Sequence, residues 1–79
     1  MEWLVTLQIP KQDVWFVQHM IESFEGIALM TTGKMQEEVG WFDLFLHEST
    51  YHEFEALIHS LQQEMPLLQI IQKEVLDGL

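Results

Sequence analysis

The 79-residue chain has no cysteine and no arginine. Without cysteine there can be neither a disulfide nor a thiolate metal site, so a chain this short must fold on its apolar core alone. Its only cations besides histidine are Lys11, Lys34 and Lys73, set against thirteen carboxylate side chains for a formal charge of −10. Conventional nucleic-acid binding needs cations to neutralise phosphates, and anionic membrane surfaces attract basic segments, so neither partner is expected. No apolar run is long enough to span a bilayer. The opening MEWLVTLQIP lacks the basic flank of a signal peptide, and a cytoplasmic protein is expected. Glycine and proline are scarce, and the glycines form neither a phosphate loop nor a dinucleotide fingerprint. There are no low-complexity segments and no linker.

What is present is a 48% hydrophobic fraction, enough for one domain with a real core. The stretch from Gly40 to Met65 organises it. Phe42, Leu44 and Leu46 alternate with Trp41, Asp43, Phe45 and His47, which is the period of a strand. Ser49 or Thr50 then offers a side-chain oxygen to the first amides of a helix, and Thr50 with Glu53 has the form of a capping box. Phe54, Leu57, Ile58, Leu61 and Met65 follow at helical spacing up to Pro66, which stops the helix.

The rest of the chain fits around that unit. Residues 2 to 9 alternate as a strand, with Trp3, Val5, Leu7 and Ile9 on one side, and Pro10 ends it. A helix from about Lys11 or Asp13 presents Val14, Val17, Ile21 and Phe24, widened by Phe16 and Met20, and closes at Gly26. Residues 27 to 32 make a second strand, 33 to 40 a turn, and about 67 to 75 a last strand with a frayed tail. The predicted class is α+β, a ferredoxin-like strand-helix-strand-strand-helix-strand domain spanning residues 1–79. Its four-stranded sheet has the order 4-1-3-2 and is mainly antiparallel, with a parallel pair expected between the first and third strands. Both helices are expected on one face, since both crossovers should be right-handed.

The other face then carries Leu4, Thr6, Trp41, Asp43, Phe45 and His47. An open sheet face is normally polar, so this apolar mixture marks a ligand or dimer surface. Chemistry is otherwise sparse. His52, Glu55 and His59 share one stripe of the second helix but lack the spacing of a zinc-binding helix, and no metal or other cofactor is expected. Ser23, Ser49 and Ser60 sit in no nucleophile-elbow context, and Glu37 with Glu38 lies in a turn. No enzyme is expected.

The element order, the length and the phrase Phe24-Glu25-Gly26-Ile27-Ala28-Leu29 resemble the ACT-like group of small regulatory domains, and the short uncharacterised bacterial proteins placed near it. The resemblance implies a ferredoxin-like fold, a tendency to pair and regulatory ligand binding. ACT domains typically bind amino acids through a glycine in the loop after the first strand. Here that loop reads Ile9-Pro10-Lys11-Gln12-Asp13, with no glycine. Three roles follow as expectations: a non-catalytic homodimeric module that binds a small molecule or docks on a larger protein, an acidic inhibitor that fills the basic groove of a nucleic-acid-binding machine, and a small dimeric α+β-barrel protein.

Overall fold

A computed structural model describes residues 2–23 and 27–76, with side chains for all of these except 27–33. The expected features at Phe24 and Gly26, and the tail beyond Leu76, lie outside the described residues. The elements run β1 (Glu2–Pro10), a 3-10 turn (Lys11–Asp13), α1 (Val14–Glu22), β2 (Ile27–Met35), β3 (Val39–His47), α2 (Glu48–Gln62) and β4 (Gln69–Leu76). The fold is α+β: one four-stranded sheet in the order β2-β3-β1-β4, and two helices. This order is compatible with a ferredoxin-like arrangement.

Every neighbouring pair in the sheet is antiparallel, and this corrects the expected parallel pair. β1 and β3 run opposite ways, with Glu2 facing His47 and Pro10 facing Val39. β1 and β2 are each antiparallel to β3, so they share a direction, and α1 carries the chain back between them. The hairpin into β3 then reverses it. β4 closes the other side antiparallel to β1, with a bulge where Thr6 faces Gln72 but Leu7 already faces Ile70.

One side of the sheet is the core. Val5, Leu7 and Ile9 of β1 meet Phe42, Leu44 and Leu46 of β3, beneath Val17 and Ile21 of α1 and Tyr51, Phe54, Ile58 and Leu61 of α2. Met65 and Leu68 complete the cluster from the turn before β4, and Trp3, Val14, Leu57 and Ile70 pack at its rim. Both helices contribute to this single cluster. Burying one large apolar side chain is worth about 2 kcal/mol, so these residues can hold a chain without crosslinks.

Several boundaries shift from expectation. The hairpin tip shrinks to Gln36, Glu37 and Glu38, tied by Gln36 N–H donating to the Val39 carbonyl at 2.8 Å. α2 ends at Gln62 rather than running to Pro66, although Met65 N–H still reaches the Leu61 carbonyl at 2.9 Å. β4 starts at Gln69, and Leu67 stays exposed outside it. On α1, Phe16 turns to solvent beside Trp15 instead of widening the core stripe. Asp13 stands at the helix start but makes no side-chain capping bond.

The start of α2 is a further correction. Neither Thr50 nor Ser49 is the cap. His47 holds that position, with extended backbone, and its ring nitrogen Nδ1 accepts the Ser49 N–H at 3.1 Å. The helix therefore begins at Glu48, whose carboxylate suits the positive end of the helix dipole. Thr50 lies inside the first turn, where its side chain is no longer placed to cap.

Candidate functional site

β3 sets the open face. Pleating alternates its side chains, so Trp41, Asp43, Phe45 and His47 point away from the side that holds Phe42, Leu44 and Leu46. The β1 register then fixes their neighbours: Leu4 faces Phe45, Thr6 faces Asp43, Gln8 faces Trp41 and Glu2 faces His47. Five of the six predicted surface residues, Leu4, Thr6, Trp41, Asp43 and Phe45, are thereby brought onto one continuous patch. Among the described residues no helix lies over it.

The patch is more ordered than a smear of apolar atoms. Thr6 Oγ1 donates to Asp43 Oδ1 at 2.8 Å, so the carboxylate in the middle of the patch has a partner from the adjacent strand. The Trp41 indole N–H donates to Gln8 Oε1 at 3.1 Å, and Gln8 Nε2 in turn donates to the Leu67 carbonyl at 2.9 Å. These bonds hold the Trp41 ring by its polar edge. The apolar part is then Leu4 opposite Phe45, the latter 37% exposed. Gln8 was legible as a member of this face, because it shares the parity of Leu4 and Thr6. The Leu67 contact was not, because it needs β4 to start two residues later than its apolar run suggests.

His47 stands apart. It lies at the end of β3, and its Nδ1 is 2.9 Å from Ser49 Oγ as well as accepting the Ser49 amide. The accepting Nδ1 places the ring proton on Nε2. This imidazole terminates a strand and starts a helix, and it joins the patch only at its margin.

A second set of side chains gathers between α2 and β4. The Trp3 and Tyr51 rings stack at 5.1 Å, and the Lys73 ammonium lies over both, 5.0 Å from the Trp3 ring centre and 4.7 Å from that of Tyr51. Such placement over two ring faces is a favourable cation–π contact. Tyr51 donates its hydroxyl to Glu55 Oε2 at 3.2 Å. Burial, the Glu55 charge and that hydrogen bond all push the Tyr51 hydroxyl above its ordinary value. Glu55 and His59 border the groove that runs from here along β4, while His52 packs edge-on against Tyr51. Among the described residues no group of three or more histidine, cysteine, aspartate or glutamate side chains is placed to hold a metal ion. Nor is any helix among them long and apolar enough to cross a membrane. The apolar pattern of α2 does not announce this cluster, because Tyr51 lies just ahead of the stripe that Phe54 opens. The i, i+3, i+7 relation of Tyr51 to Phe54 and Ile58 was the available signal.

No protein-family model, no curated protein and no solved structure matches the chain.

Proposed function

We propose that this chain is a non-catalytic module of ferredoxin-like, ACT-like type that pairs with a second copy through the open sheet face. In that form it senses a small molecule or docks on a larger protein. One observation carries the reading: β3 is apolar on both sides, and the described helices cover only one. Leu4 and Phe45 face each other on the uncovered side, flanked by the tethered Trp41. A two-fold pairing would cover the same patch on both copies at once. The polar groups that a catalytic barrel on this face would use are already engaged, Thr6 with Asp43 and His47 with Ser49.

Light scattering tests the pairing. The wild type should be a dimer at moderate salt and should weaken at low ionic strength, where a charge of −10 per chain is less screened. Phe45→Glu or Trp41→Glu should give a folded monomer. A monomeric wild type at high protein concentration and moderate salt would overturn the pairing.

The charge also favours a second reading, an acidic decoy for the basic groove of a nucleic-acid-binding machine. Its outcome differs: tight binding to a basic partner, strongly weakened by salt, from a chain that need not pair.

A further inference from the structure

We propose that the free edge of β4, with the groove between β4 and α2, takes an extended basic segment of a partner protein by strand addition. This does not rest on pairing through the open face, because it uses the edge of the sheet rather than its surface.

β4 is a terminal strand, bonded only to β1 among the described residues, so its outer row of backbone donors and acceptors faces away from the sheet. Sheet edges of this kind are templates for another strand, and proteins commonly guard them with a bulge or an outward lysine. β4 has both elements, but the lysine is withdrawn. Lys73 folds its ammonium back over Trp3 and Tyr51 instead of projecting it across the edge. Ile71 and Val75 on the same strand stay 45% and 40% exposed.

Beside this edge lies a groove. Its helix wall is Tyr51, Glu55, Ile58 and His59, and its strand wall includes Ile70 and Lys73. An extended segment laid on β4 would gain main-chain hydrogen bonds from the edge and send alternate side chains into the groove. The groove itself holds one carboxylate, Glu55, and the Lys73 ammonium lies against its aromatic end, so the chain's overall charge of −10 favours a basic segment. Outside the groove, α2 and the turn after it add Glu48, Glu53 and Glu64 to Glu55, with no lysine or arginine. A cationic side chain entering the groove meets the Glu55 carboxylate, and an apolar one meets Ile58 and Ile70. A second copy of this chain is the poorer occupant. Both copies carry −10, so two like-charged chains would meet along the edge.

The test uses the whole chain and a labelled peptide of alternating lysine and valine, followed by fluorescence anisotropy. Two comparison peptides decide the mode. One has the same side chains but is N-methylated at every residue, which keeps the charge and removes every backbone donor. The other replaces lysine with glutamate. Strand addition predicts that the first peptide binds at least about tenfold more tightly than either comparison. Amide resonances of residues 69–76 should shift on binding, and Glu55→Gln should weaken binding several-fold without altering the free protein's spectrum elsewhere. Equal affinity for the methylated and unmethylated peptides would show charge attraction alone and overturn the proposal. So would shifts confined to residues away from β4 and α2, or no binding of the lysine-valine peptide at low salt.

Discussion

The two sides of β3 are built from similar residues and behave differently. Phe42, Leu44 and Leu46 are sealed under two helices, whereas Trp41, Asp43 and Phe45 lie half-buried to exposed beside β1. Apolar content alone does not distinguish them, since each side has large side chains. The difference lies in what crosses above. Both helices deliver their buried residues to one cluster, so the other side must manage with cross-strand partners. It does so with hydrogen bonds, Thr6 to Asp43 and Trp41 to Gln8, which fix polar atoms without hiding the rings. An apolar side chain in the core contributes to stability, while one on the open face is available for recognition.

Truncation of two adjacent residues should separate the two sides most strongly. Leu44 is fully buried and Phe45 is 37% exposed. Leu44→Ala should destabilise by about 2–5 kcal/mol, the cost of a buried cavity. Phe45→Ala removes a larger side chain but should cost only about 1 kcal/mol, a typical cross-strand contribution on a half-open face. Denaturant melts of the two variants give the ratio directly. Equal losses would mean that the open face is a second core.

Gly40 allows a narrower test at the head of the same strand. It is buried, and a Cβ built there would come 2.6 Å from Met35 Sδ and 2.8 Å from the Phe42 ring. The exposed Met35 end can swing aside, but the Phe42 ring is held in the core. Gly40→Ala should therefore cost about 1–3 kcal/mol, as overpacking does. Pairing Gly40→Ala with Phe42→Leu should recover part of that loss if the ring is the obstacle. No recovery would point to the backbone instead.

At the other end of β3 the expected effect is smaller. His47→Ala removes the acceptor that caps α2 and should cost about 1 kcal/mol, whereas Thr50→Ala should change little. Thermal melts of both variants separate the two assignments, and a larger effect at Thr50 would restore the hydroxyl cap.

These cases also show what the sequence made legible. Strict alternation in β1 and β3 places Val5, Leu7, Ile9, Phe42, Leu44 and Leu46 on the core side and Leu4, Thr6, Trp41, Asp43 and Phe45 on the other, because strand period leaves only two choices and one face is strongly apolar. The cap was misplaced because Ser, Thr and Glu spacing fits a capping box, while histidine is seldom considered as an acceptor. The parallel pair arose from strand direction, which follows from counting reversals along the chain and not from any residue pattern. The groove beside β4 was invisible for a different reason. It depends on Lys73 reaching rings contributed by β1 and α2, far apart in sequence, and no local periodicity reports that meeting.

Tyr51 gives the smallest effect at neutral pH and marks where the helix-covered side meets the groove. It is the only tyrosine in the chain, so its titration can be followed by absorbance without assignment. Burial, then the charge of Glu55, then the hydrogen bond to Glu55 each favour the protonated hydroxyl in the folded protein. The folded value thus lies above the ordinary tyrosine value of 10.0, which approximates the unfolded chain. The folded state holds its proton over a pH range in which the unfolded state has lost it. The resulting stability is fully present below the unfolded value and is lost as pH rises through the folded one. Tyr51→Phe should therefore melt within about 1 kcal/mol of wild type at neutral pH, the scale of one hydrogen bond. Above the ordinary tyrosine value the wild type should lose stability more steeply with pH than the variant. An absorbance titration of the folded protein that finds tyrosinate forming at or below the ordinary value would show that burial and Glu55 do not outweigh the Lys73 ammonium over the ring.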